Sequence, residues 1–466
     1  MTQAIKKSLR ESATVRWTVL GLVAFTMLTG YFFTDVLSPL KGALEAQHGW
    51  DGETYGFFTG AYAFFNVTFL MLIFGGVILD KMGIRFTSIT SAIIMIVGAS
   101  LNYYGLTDTF ISGGPLFGFF DSFLTQYPVS VKCSFLGYAI FGMGVEMAGI
   151  TVSKIIVKWF KGKELALAMG IEMAVARFGM LGALWFAVPI SNLKEQADIS
   201  LPVGFGVLLL VIGLMTFLIY YGMDKKIDKE DGVDSEEEEE EAFRFGDVLR
   251  LFTNRGFILI AILCVLFYSA VFPFIKFASD LMHHKYGMTV ATAGFVAGLL
   301  PFGNMLLTPV FGTIYDRKGK GASIMILGSI LLIIVHSIYA FAPNNEILAY
   351  IAIFILGVGF SLVPSAMWPS VPKIVDERYL GSAYAVIFFI QNLGLMAVPY
   401  LTGVVLKASN PGVAEQIQQG IDARYDYYYP SLIFVACGVL AFFFAVWLKA
   451  EDKKKGFGLE LPNIKK

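Results

Sequence analysis

The chain has 466 residues, of which 56% are hydrophobic and only 15% charged, with a formal net charge of −1 at pH 7 and a mean hydropathy of +0.68. A soluble domain carries about 25% charged residues, and nucleic-acid binding wants a basic face, so the composition excludes a soluble enzyme, a secreted domain and a DNA binder. Lipid is the solvent that so many apolar residues require, and 43 Phe, 48 Gly and 21 Tyr suit membrane helices with aromatic belts.

A spanning helix needs about 20 mostly apolar residues. The sequence predicts an all-α membrane protein with twelve of them, at residues 16–38, 53–79, 86–106, 133–158, 165–189, 201–223, 256–279, 289–314, 322–342, 347–372, 380–406 and 429–449. The first is too long for a cleavable signal peptide and lacks a small-residue cleavage site. Lys41, Lys132, Lys194, Lys285, Lys407 and Arg424 fall on one side of these spans, Arg177 and Lys276 fall within them, and all other basic residues sit at the termini or the even-to-odd connections. That bias predicts both termini in the cytosol. The expected organisation is a tail (1–15), a six-helix bundle (16–223), an acidic linker (224–255), a second six-helix bundle (256–449) and a tail (450–466). The linker contains Glu236–Glu241, a like-charge block that reads as solvated chain. Ala242–Leu251 then has the pattern of a short amphipathic helix on the membrane surface.

Two connections repeat one signature. The first reads Gly76, Asp80, Lys81, Gly83, Arg85; the second reads Gly312, Asp316, Arg317, Gly319, and its basic end is more diverged. The first Gly of each is expected to let helices approach closely. The Asp is expected beside a neighbouring helix N-terminus, whose dipole favours an anion, and the second Gly permits a tight turn.

An ionisable group inside a span is expensive and a functional candidate. Glu146 lies 12 residues before Lys158 and Arg177 12 residues after Leu165, so each is about 18 Å deep, near the midplane. They stand on adjacent antiparallel spans. A carboxylate can hold an ammonium and a guanidinium can hold a carboxylate, so together they suit a zwitterion. Asp35 is a possible gate near the outer face, and Lys154 with Glu172 a possible inner gate pair. Lys276 and Asp280, near the outer end of the seventh span, are expected to snorkel or to pair with each other, and His283-His284 to lie in an exposed loop. His48, His336 and the three cysteines (Cys133, Cys264, Cys437) show no metal or disulfide spacing. No Walker, dinucleotide or nucleophile-elbow motif is present, so neither a cofactor, a metal nor an enzymatic activity is expected.

The duplicated signature resembles the major facilitator superfamily. That resemblance implies two pseudo-symmetric six-helix bundles around a central cavity and alternating access by rocking. It also gives the duplicated motifs the role of a cytosolic latch in the outward-open state. Four stretches resemble a narrower branch: Lys158–Gly170 (KWFKGKELALAMG) followed by Ala176 and Arg177, Val265–Phe274 (VLFYSAVFPF), Ala366–Ser370 (AMWPS) and Ile390–Leu395 (IQNLGL). With Glu146 at its spacing from Arg177, they are similar to the branch of major facilitator superfamily domain-containing protein one. Its animal members are lysosomal dipeptide uniporters with a glycosylated accessory partner.

The narrower resemblance implies that Glu146 holds a peptide's amino terminus and Arg177 its carboxylate. Tyr62, Asn66, Tyr268, Trp368, Gln391 and Asn392 are the candidate cavity wall. The tails carry no acidic dileucine signal, and the one Asn-X-Thr, at Asn66, lies inside a span. The expectation is therefore a monomeric prokaryotic relative in the plasma membrane, with a dipeptide substrate, no nucleic acid and an accessory subunit left open. Two alternatives stay open: proton-coupled transport of organic anions such as sugar acids, with Glu146 carrying the proton, and a membrane sensor or scaffold that moves nothing.

Overall fold

The computed structural model describes residues 12–160, 163–194, 197–231 and 250–464; Glu236–Glu241 and nearly all of Ala242–Leu251 lie outside them. Helices are the regular structure, with no strand among the described residues. The first half contains α1 (Ala13–Asp35), α2 (Lys41–His48), α3 (Gly52–Gly60), α4 (Phe64–Thr68), α5 (Met71–Gly105), α6 (Asp108–Ile111), α7 (Phe117–Asp121), α8 (Val129–Phe160), α9 (Leu165–Ser191) and α10 (Ser200–Asp231). The second half contains α11 (Arg255–Tyr286), α12 (Val290–Lys318), α13 (Gly321–Phe341), α14 (Glu346–Ile374), α15 (Leu380–Ser409), α16 (Val413–Gln418) and α17 (Tyr428–Lys455). Local signals set the ends. Asn254 and Thr289 accept the Phe257 and Thr292 amides as N-caps, and Gly287 ends α11 in the left-handed region at φ 70°.

Eleven helices among the described residues are long and apolar enough to cross a membrane, against the twelve expected. α5 is two helices joined across a kink at Gly83, so the third expected span and the end of the second are counted as one, and the rest of the second, 53–79, falls in pieces too short to count. There the helix comes in pieces: α3, a 3-10 turn at Ala61–Ala63, α4, and the start of α5 beyond Leu70, whose φ is 53°. Boundaries also move. α10 continues past 223, so Asp224 is helical and fully buried rather than the start of a solvated linker. α11 continues past 279 to Tyr286, which places His284 in the interior at 7% exposure instead of in an exposed loop.

Within the first half, α5 packs along α8 and α1 along α9 and α10; within the second, α13 packs along α14 and α17, and α11 along α15 and α17. Among the described residues the two most extensive pairings between the halves are α3 with α15 and α9 with α12. Both lie toward the face opposite the termini, here the far face. The α3–α15 contact needs backbone proximity: a Cβ on Gly403 would stand 2.1 Å from the Gly52 carbonyl oxygen. Charges tie the same face. Lys407 reaches Asp51 and Glu53, each at 2.9 Å, and Lys41 reaches Asp280 at 3.0 Å. Tyr425 donates to Glu45 and Tyr427 to Asp280. Burial alone would raise the Asp51 carboxyl, but hydrogen bonds from Lys407 and the Thr54 amide outweigh it and hold the group below the usual range.

On the terminal face the duplicated turns differ from the sequence expectation. Gly83 (φ 77°) and Gly319 (φ 68°) do supply the positive-φ turn residue. Gly76 and Gly312, however, have no neighbour within 4 Å of an added Cβ, so neither makes a close helix approach in this structure. Among the described residues no backbone N–H donates to Asp80. It pairs with Lys154 on α8 at 3.2 Å, which also takes Lys154 out of a pair with Glu172; Glu172 remains half-buried on α9. Arg85 and Lys158 converge on buried Asp224 at 2.7 and 3.0 Å, fastening α5, α8 and α10 together. Lys81 is exposed.

In the second copy Gly321 stands five residues after Asp316, as Arg85 stands five after Asp80, and the C-terminal segment fills the space. The Gly321 amide donates to the Leu459 oxygen (2.8 Å), Glu460 accepts from the Ser323 amide and hydroxyl (2.9 and 2.8 Å), and Asn463 donates to Asp316 (2.8 Å). Arg317 stays exposed.

Two outcomes test this packing. Gly403→Val overpacks the α3–α15 seam and should cost about 1–3 kcal/mol, read as a lower melting temperature; an unchanged melt would contradict the close approach. Arg85→Ala leaves buried Asp224 with less compensation and should cost about 1–3 kcal/mol, whereas Asp80→Asn, at a more exposed pair, should cost under about 1 kcal/mol. Equal losses would contradict the difference in burial.

Candidate functional site

A cavity of about 150 Å³ lies where the halves meet, walled among others by Tyr31, Tyr62, Glu146, Phe272, Lys276 and Gln391. Glu146 comes from the middle of α8 and Tyr62 from the 3-10 turn between α3 and α4. Gly142, one helical turn before Glu146, makes their meeting possible, since a Cβ there would stand 2.0 Å from the Tyr62 carbonyl oxygen. The Tyr62 hydroxyl donates to Glu146 Oε1 at 2.8 Å. That single bond leaves the carboxylate with acceptor capacity to spare toward the cavity.

Arg177, near the middle of α9, lies over the rings of Tyr31 and Phe360 (both 5.3 Å) and Phe272 (5.7 Å). Its Nη1 is buried with no hydrogen-bond partner. No ion pair joins it to Glu146 among the described residues, so these two opposite charges share a neighbourhood without neutralising each other directly. Three aromatic faces give a guanidinium partial compensation by cation–π attraction while leaving an N–H unsatisfied, which costs about 1–3 kcal/mol. A carboxylate is the natural partner for such a donor.

The other expected wall residues divide. Gln391 lines the cavity with Tyr62. Tyr268 and Trp368 stand one layer behind it: Tyr268 stacks on Phe272 (5.4 Å, 8°), and Trp368 Nε1 donates to the Tyr268 hydroxyl at 3.0 Å. Asn66 and Asn392 do not line the cavity. Asn66 is buried with both amide atoms unpartnered, and Asn392 turns its Nδ2 to the Phe388 carbonyl of its own helix at 3.0 Å. Consecutive helical positions point about 100° apart, and on α15 it is Gln391 that takes the cavity side.

Two charges take unexpected places. Lys276 pairs with Asp35 at 2.7 Å rather than with Asp280, whose partner is Lys41. Both Lys276 and Asp35 line the cavity. The sequence puts Lys276 near the outer end because its span is expected to stop at 279. With α11 running to Tyr286, Lys276 is ten residues from the end, about 15 Å deep. Tyr31 and Phe272 are absent from the sequence-based candidates, since nothing in a single sequence separates a cavity aromatic from a packing one.

The sequence matches the Major Facilitator Superfamily over residues 20–399. It is 26% identical to the human lysosomal dipeptide transporter MFSD1, covering 95% of this chain and 88% of that one, and 27% identical to the Danio rerio protein of the same name over the same shares. Among solved structures, a bacterial homologue of the human lysosomal transporter Spinster, in an inward-facing and unoccupied conformation, superposes with a TM-score of 0.70. That match has 14% identity and covers 95% of this chain and 98% of that one. The nucleoside transporter NupG gives 0.66 at 15% identity, covering 93% and 99%. The chain belongs to the Major Facilitator Superfamily, and it is a multi-pass secondary membrane transporter and not an enzyme.

Proposed function

We propose that the protein moves dipeptides or similar small zwitterions by alternating access, as a uniporter, with both termini in the cytosol and in a plasma membrane. The observation that carries this reading is the cavity between the halves, lined by a carboxylate (Glu146), with a buried guanidinium that has an unsatisfied donor (Arg177) packed against two of the lining aromatics, Tyr31 and Phe272. A zwitterion answers both at once: its ammonium replaces water at Glu146, and its carboxylate supplies what Arg177 Nη1 lacks. Amino-end binding falls to Glu146 held by Tyr62, acid-end binding to Arg177, and Gln391 offers a neutral amide for a peptide bond. The name shared by the MFSD1 relatives, which covers nearly the whole length of both chains, supports the same substrate class. The latch role of Gly76, Asp80, Lys81, Gly83, Arg85, Gly312, Asp316, Arg317 and Gly319 belongs to the same proposal. So does the bias of basic residues that puts the terminal face toward the cytosol.

A thermal-shift screen of the purified protein against amino acids, dipeptides, tripeptides and sugar acids tests it, because a ligand stabilises the state it binds. Dipeptides with both ends free should raise the melting temperature, and capping either end should remove the effect. Glu146→Gln should weaken dipeptide binding about 10-fold or more, the value of a lost charge-assisted bond. Arg177→Lys should weaken it comparably, because an ammonium does not reproduce the planar fork. Full binding by either variant takes that residue out of the site; stabilisation by sugar acids alone replaces the zwitterion reading.

A further inference from the structure

Lys276 belongs to the second half, yet every partner of its ammonium comes from the first. Nζ donates to the Thr34 carbonyl oxygen (2.6 Å), to Asp35 Oδ1 (2.7 Å) and to the Tyr138 hydroxyl (3.3 Å). Those three partners account for all three donors of an ammonium. The same residue's carbonyl oxygen accepts from the Tyr55 hydroxyl at 3.0 Å, again from the first half. Asp35 is 1% exposed, and only one of its oxygens is engaged: Oδ1 takes Lys276 and Ser38, while Oδ2 is buried without a partner. Both residues line the cavity that holds Glu146. They stand at its far side, where the halves close on each other.

We propose that Asp35 and Lys276 form a second substrate-binding charge pair and the innermost bolt of the far-side closure, drawn when a carboxylate in the cavity takes the place of Asp35 on Lys276. The exchange is chemically even. Lys276 trades one carboxylate for another, so the buried ammonium is never left bare, a state that would be far more costly than either pairing. Asp35, freed, has two oxygens for a cation, and Oδ2 is already open. The halves lose the ion pair that joins α1 to α11, while the ligand keeps its own charge neutralised. Other far-face ties, such as Lys407 with Asp51, lie outside the cavity and cannot be reached by a ligand within it. The pair thereby selects ligands with a free carboxylate and couples their binding to release of the far side. The inference rests on the zwitterion reading for the ligand's identity, and the two subsites are used in turn: the one carboxylate that Arg177 first receives passes to Lys276 as the far side opens, and Arg177 returns to its aromatic neighbours.

The test is thiol labelling from the far face. The three native cysteines, Cys133, Cys264 and Cys437, are replaced by alanine, and Thr59, which lines the cavity at 3% exposure, becomes the reporter through Thr59→Cys. A membrane-impermeant maleimide is applied to the protein in liposomes. Asp35→Asn and Lys276→Gln should each speed labelling about fivefold or more without ligand, the size of a typical coupling energy. The exchanged pair Asp35→Lys with Lys276→Asp should return to slow labelling, which a general folding defect would not do. In the parent, a dipeptide with a free carboxylate should accelerate labelling and its C-terminal amide should not. Slow labelling of Asp35→Asn overturns the bolt, and failure of every carboxylate-bearing ligand to accelerate the parent overturns the exchange. Acceleration by a sugar acid but by no dipeptide upholds the exchange at Lys276 and instead overturns the zwitterion reading.

Discussion

A charge held in a low-dielectric interior must be answered on every donor and acceptor it carries, and Lys276 finds all its answers across the boundary between the halves. The far-side closure is organised around that one requirement. α1 ends at Asp35 where Lys276 needs a carboxylate, the Thr34 carbonyl oxygen completes the set, and the Tyr138 and Tyr55 hydroxyls seal the flank. Further out, the α3–α15 seam closes backbone to backbone at Gly403 and Gly52. Further in, the same cavity keeps Glu146 on a single tyrosine bond and leaves Arg177 against aromatic faces. The structure thus satisfies the Lys276 ammonium fully where the halves are held together and leaves Asp35 Oδ2, Glu146 and Arg177 with capacity that a ligand can complete.

The terminal face follows a different rule. There the charge clusters among the described residues tie helices within a half. Arg85, Lys158 and Asp224 bind α5, α8 and α10 into one unit, while in the second half the chain's own C-terminal segment, through Leu459, Glu460 and Asn463, fastens α12 to α13. These clusters stiffen each half on the terminal face, as the proposed rocking of one half against the other requires.

Much of this was legible in the sequence. Composition and span length carried the all-α membrane class, and the duplicated Gly–Asp–basic–Gly signature carried the two-half organisation. Depth counted from helix ends isolated Glu146 and Arg177. The failures have physical causes. A broken second helix cannot be seen when the residues at the break, Thr68 to Leu70, are as apolar as their neighbours. Depth counting misplaced Lys276 because α11 outlasts its hydrophobic stretch by Asp280, His283, His284 and Lys285, residues that remain helical since Lys41, Tyr427 and Tyr425 meet two of them in the interior. Gly76 and Gly312 match the motif, yet a Cβ added at either would meet nothing within 4 Å, so the pattern alone did not show the packing around them. Gln391 faces the cavity and Asn392 does not, a distinction of helical phase that two adjacent amides conceal.

The most direct test of transport by substrate-driven rocking is counterflow of a labelled dipeptide into liposomes preloaded with the unlabelled compound, with the pH gradient abolished. The account predicts transient accumulation of label above its outside concentration, dependent on the internal dipeptide and absent with an internal sugar acid. No accumulation without a proton gradient, or accumulation driven by sugar acids alone, would contradict it.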